Sequence, residues 1–165
     1  MPTRRMRALR SSRGVLELRC RTPVRSYTRT VARWTISEID ALPVVSDGEL
    51  DDPRWHPLQH ALGIDAFGVN VFVATRAGQT LVEEHDERGS GQQELYLVLD
   101  GLVEFEVDGD RVRGGARTAL AITEPSVRRS ARAAAAGSML LVVGAAGPFA
   151  STWDDRHFSD IPRPS

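Results

Sequence analysis

Between Phe67 and Val143 the apolar residues recur at every second position, and glycines interrupt them at short intervals. Phe67, Val69, Val71 and Val73 alternate with Gly68, Asn70, Phe72 and Ala74. Val103, Phe105 and Val107 alternate with Glu104, Glu106 and Asp108. A period of two is the signature of a strand with one covered face. Gly78, Asp100-Gly101 and Asp108-Gly109 supply the turns, and the two Asp-Gly pairs predict tight hairpins because such turns need positive φ. The pattern predicts strands at residues 67–74, 80–85, 94–99, 102–107, 119–123, 130–133 and 139–143, with a polar loop over residues 86–93. Nothing helical separates these strands, which disfavours a parallel βαβ sheet and predicts an all-β sandwich or barrel.

The flanks differ in kind. Residues 1–33 hold ten arginines against the single acid Glu17, a balance of +9, whereas the remaining residues hold 11 arginines and 21 acids, a balance of −10. The sequence has no lysine. The first segment interleaves Ser, Thr and Pro with its arginines and lacks a secretory apolar core. It reads first as a disordered arm, then as an upstream extension outside the native chain, and last as an arm for nucleic acid or a membrane surface. Only Tyr27 is available there to stack on a base, and residues 14–18 read as a short strand. The folded domain is expected over residues 34–150, with a tail at 151–165 that carries Trp153 and His157. Trp34, Thr35 and Ile36 read as a strand, residues 37–42 as a helical turn stopped by Pro43, and residues 54–62 as a helix stopped by Gly63. The chain has no apolar run of the roughly 18 to 20 residues that span a bilayer. Its one cysteine, Cys20, cannot form an intramolecular disulfide, which fits a cytoplasmic location.

The stretch Glu94-Leu95-Tyr96-Leu97-Val98-Leu99-Asp100-Gly101 resembles the end of the first cupin motif, in which a Glu precedes a Gly by several residues. Glu124-Pro125-Ser126-Val127-Arg128-Arg129 resembles the second motif, and Ser138 to Gly144 resembles the closing strand. The resemblance runs from about residue 64 to 147. It is nearest to small single-domain bacterial cupins of the RmlC-like jelly-roll type with degenerate metal-binding motifs. It implies a double-stranded β-helix barrel with one or two short N-terminal helices, commonly a homodimer, with a small-molecule ligand inside the barrel.

That resemblance also implies a metal site of three histidines and one glutamate, which suits a divalent transition metal. This chain departs from it. His85 lies nine residues before Glu94, Glu87 stands where the second histidine of a His-x-His pair would be, and Arg129, or Ser130 in the other possible register, stands at the second-motif histidine. Arginine has no lone pair for a metal and its fixed charge repels one. No cofactor is therefore expected. Should a metal bind, its ligands would be His85, Glu87 and Glu94.

His85, Glu94, Tyr96 and Arg129 are the expected cavity residues. Each also has a plain reading: His85 as a loop-edge histidine, Tyr96 as core lining, and Glu94–Arg129 as an internal ion pair that replaces a lost metal. In the functional reading Arg129 offers its guanidinium to an anionic ligand. Arg128 is expected in solvent. His56 and His60, four apart on the expected helix, can hold a metal at that spacing but read first as surface or packing residues. Three function classes follow: a metal-free cupin binding a small ligand, a cupin enzyme (an atypical metal oxygenase, or a metal-free isomerase using His85 or Glu94 as base), and a dimeric structural module with a basic binding arm.

Overall fold

A computed structural model describes residues 29–31, 34–46 and 52–147. The expected strand at residues 14–18, Cys20, Tyr27, Trp153 and His157 lie outside the described residues, as does most of the basic arm. The chain is mostly β. It runs β1 (Arg29–Val31), β2 (Trp34–Ile36), a 3-10 turn (Ile39–Ala41), β3 (Arg54–His56), α1 (Leu58–Leu62), β4 (Gly68–Val73), β5 (Thr80–His85) and β6 (Gln92–Asp100). It continues through β7 (Leu102–Val107), β8 (Asp110–Gly115), β9 (Ala119–Ile122), β10 (Arg129–Ala133) and β11 (Met139–Ala146). Among the described residues no helix is long and apolar enough to cross a membrane.

Two antiparallel sheets carry the fold, with strand orders β5-β10-β7-β8 and β3-β4-β11-β6-β9. Apart from the β3–β4 and β7–β8 pairs, strands consecutive from β3 onward fall in different sheets, so the chain crosses between them as a jelly roll does. The core lies between the sheets. Tyr96, Val98, Ile122, Leu140 and Val142 come from one sheet, and Leu81, Val103, Phe105, Ala131 and Ala133 from the other. Tyr96 and Phe105 meet edge to face across it, ring centroids 6.0 Å apart. Phe72 packs on this core, while Val69, Val71 and Val73 are buried on the opposite face of β4, the strand against which α1 sits.

Three expectations need correction. First, residues 54–62 are not one helix. Arg54–His56 pairs with β4, with Trp55 opposite Phe72, and the helix begins only after Pro57. Trp55 stacks on Phe72 and donates its indole N–H to Asn70 Oδ1 at 2.9 Å, contacts a helix would forfeit. The stop at Gly63 holds: its φ of 72° is left-handed, and its N–H returns to Gln59 O. Second, Asp100-Gly101 is not a hairpin. β6 and β7 belong to different sheets, and Gly101 is the corner between them. A Cβ there would lie 2.6 Å from Ser138 Oγ, and φ is 74°, so the position needs glycine twice over. The Asp108-Gly109 turn, with φ of 49° and 91°, is the hairpin and joins β7 to β8. Third, β8 itself is absent from the expected strands, since Asp110-Arg111-Val112-Arg113-Gly114-Gly115 lacks apolar alternation. It is held as an edge by its ladder to β7. The described strands also include one ahead of Trp34, since β1 pairs with β2.

Candidate functional site

Three elements bring the expected residues together. β5 ends on His85, β10 opens on Arg129, and the two residues are register partners. Glu94 lies on β6 with its side chain on the same face as Tyr96. Glu87 lies just beyond β5, where its backbone N–H bonds to Pro125 O at 2.7 Å.

Arg129 is 1% exposed and Glu94's side chain 9%. One carboxylate oxygen, Glu94 Oε2, accepts from Arg129 Nη2 at 2.6 Å, from Arg129 Nε at 2.9 Å and from the Tyr96 hydroxyl at 2.7 Å. On its other side Arg129 Nη1 donates to Val127 O at 2.8 Å and Pro125 O at 3.4 Å. Four of the buried cation's five N–H donors thus have an acceptor from the protein itself. Burial pulls the Arg129 pKa down, but the hydrogen bonds to Glu94 and Tyr96 outweigh it and leave the guanidinium above its ordinary range. Burial first, and then the bond to Glu94, push the Tyr96 phenol far above the usual tyrosine value.

The outward side is different. His85 Nδ1 lies 2.8 Å from Glu83 O. A carbonyl only accepts, so Nδ1 carries a proton, and in the neutral ring Nε2 is then the acceptor. That nitrogen lies 3.7 Å from Glu87 Oε1 and 3.7 Å from Glu94 Oε2. Glu87 Oε2 receives the Ser90 hydroxyl. His85, Glu87 and Glu94 place one ligand atom each within 4.8 Å of one another. Three acceptors converge there, and a proton, a cation or a ligand bearing donors would satisfy them. A cavity of about 560 Å³ opens beside Glu94, walled by Leu95, Ala121, Ile122, Pro125 and Val143, but His85, Glu87, Tyr96 and Arg129 do not line it.

The usual three-histidine site does not fit these residues. Arg129, one of the two residues that the motif resemblance puts at the third histidine, is already bonded through its positive charge to the glutamate that a metal would need. The reduced set of His85, Glu87 and Glu94 has to compete with that guanidinium for Glu94.

Elsewhere the expected sites separate. His56 is on β3 and His60 is exposed on α1, so they do not share a helix. Arg128 is largely in solvent and pairs with Glu84. The sequence reading missed the supporting groups: Ser90 on Glu87, and the carbonyls of Glu83, Val127 and Pro125. Three of these four are backbone atoms, which side-chain patterns do not reveal. Ser90, three residues after Glu87 in a turn-rich loop, was the one available signal.

Solved structures share this architecture. A cupin protein from Bacteroides fragilis superposes with a TM-score of 0.53 at 17% identity, covering 73% of this chain and 98% of that one. An RmlC-like cupin from Shewanella frigidimarina NCIMB 400 gives 0.54 at 14% identity, covering 68% and 90%. The fold is that of the cupins. A sugar phosphate isomerase of the cupin superfamily from Silicibacter pomeroyi DSS-3 gives 0.54 at 19% identity, covering 71% and 82%. The chain spans only 58% of another match, from Acidithiobacillus ferrooxidans. No family model matches the chain, and no curated protein matches it. At such identities the likeness establishes the cupin fold alone.

Proposed function

We propose that this cupin-fold protein binds a small ligand at the mouth formed by His85, Glu87 and Glu94, without the three-histidine metal centre. The observation that carries the reading is the double contact of Arg129 with Glu94 Oε2 at 2.6 and 2.9 Å. That contact supports a resident cation in the place of a metal ion. The guanidinium is spent on Glu94 and on two carbonyls, so an anionic ligand gains little from it. A ligand with hydroxyl or amino donors gains more, because every outward group at the mouth is an acceptor. Tyr96 and Arg129 hold Glu94 from behind, and the Glu83 carbonyl orients His85.

A second reading makes the mouth catalytic. In the neutral ring the Glu83 contact directs the free lone pair to Nε2, on a side chain one third exposed to solvent, the arrangement required of a general base. An isomerase-like proton transfer on a hydroxyl-bearing substrate fits that arrangement.

Thermal-shift screening of polyols, sugars and amino sugars tests both readings. The expected result is a saturable shift that His85→Ala and Glu87→Ala abolish. A shift given only by anions and retained in both variants would overturn the assignment. Turnover of a stabilising ligand, lost in His85→Ala, would select the catalytic reading.

A further inference from the structure

A second cavity, of about 500 Å³, lies where the edges of the two sheets approach along β3, β4 and β5. It is lined by Trp55, Phe72, Thr80, Val82, Glu83 and Asp52, among others, and shares no lining residue with the mouth described above. Its volume is in the range of small-molecule sites. Specific bonds build its walls. Trp55 is fixed by its bond to Asn70 Oδ1 and by stacking on Phe72 with the planes at 17°. Val45 N–H bonds to Trp55 O at 2.8 Å. Gln79, 2% exposed, donates to Asp52 O at 2.7 Å and accepts from Thr75 N–H at 2.7 Å, clamping the Asp52-Pro53 segment to the start of β5.

Glu83 and Asp52 are carboxylates, and among the described residues no arginine or histidine lines the cavity. Trp55 and Phe72 add two π-systems, whose faces are electron-rich. Aromatic walls give a metal ion no ligands, and the Glu83 carboxylate repels an anion. We propose that this groove binds a small organic cation, an alkyl or quaternary ammonium group, held by Trp55 and Phe72 with Glu83 as its counter-charge. The inference is independent of the ligand proposed for His85, Glu87 and Glu94.

Calorimetric titration of the full chain with choline tests it, with 3,3-dimethylbutan-1-ol as the neutral isostere. Choline should bind saturably and about tenfold tighter than the isostere. Glu83→Gln, on an exposed position that does not threaten folding, should remove most of that difference. Trp55→Leu should remove binding altogether, with circular dichroism confirming the fold. Glu106→Gln, a carboxylate outside the groove, should change nothing. Equal affinity for the two probes, an unchanged affinity in Glu83→Gln, an equal loss in Glu106→Gln, or no saturable binding would each overturn the proposal.

Discussion

Arg129 in the barrel interior donates to Glu94, Val127 and Pro125, whereas His56, on the opposite face of the β3–β4 ladder, has neither ring nitrogen hydrogen-bonded. Both side chains are sealed from solvent, at 1% and 0% exposure. Burial alone therefore does not mark a functional group in this protein. A buried polar group without partners costs roughly 1–3 kcal/mol, whereas a bonded network fixes the geometry of its members. The Arg129 network reaches outward to the mouth, whereas among the described residues no hydrogen bond links the His56 ring to a neighbour.

Removing Arg129 should have the largest effect. Arg129→Ala leaves Glu94 buried without its counter-charge and should cost about 3–5 kcal/mol in chemical denaturation at neutral pH. The double variant Arg129→Met, Glu94→Leu should recover most of that loss, because a buried ion pair replaced by apolar groups is close to neutral. Equal losses in the single and double variants would mean that the pair is not a coupled unit.

Tyr96→Phe comes next. It removes one charge-assisted bond to Glu94 and should cost about 1.5–3 kcal/mol. Its signature is alkaline. Burial, and then the bond to Glu94, raise the folded-state pKa of Tyr96 above the ordinary tyrosine value of about 10. The stability it contributes is therefore full below about pH 10 and is lost as pH climbs toward the higher folded value. Unfolding followed from pH 8 to 11 should steepen near the top for the wild type, and Tyr96→Phe should flatten that slope. The same slope in both proteins would place the phenol in solvent.

His56→Phe should run the other way, with a gain of about 1 kcal/mol, since no hydrogen bond is lost and a desolvated polar ring is replaced. A loss instead would show that His56 has a partner, and would erase the contrast with Arg129. Smallest of all are His85→Ala and Glu87→Ala. They should move stability by less than about 0.5 kcal/mol while abolishing ligand shifts.

The barrel was legible because one-sided burial imposes a period of two, and Val103, Phe105 and Val107 show it plainly. β3 was not legible. Arg54, Trp55 and His56 have helix-compatible neighbours, and only pairing with Asn70 and Phe72 makes them a strand. The corner at Gly101 carries the same Asp-Gly signal as the true hairpin at Gly109. What separates them is contact with Ser138, distant in sequence. In the site, Glu94 and Arg129 could be paired through motif position and the need to neutralise a buried acid. The acceptance of both donors on one oxygen is a matter of side-chain geometry, which spacing does not encode. The Trp55–Phe72 groove was hidden by the helix expected over residues 54–62.

The central claim is that Arg129 stands in the place of a metal. Elemental analysis of protein purified without chelators, followed by calorimetric titration with manganese, iron(II) and zinc, tests it most directly. The account predicts metal well below one equivalent and no tight binding in the titration. One equivalent of a transition metal that disappears in His85→Ala would contradict it.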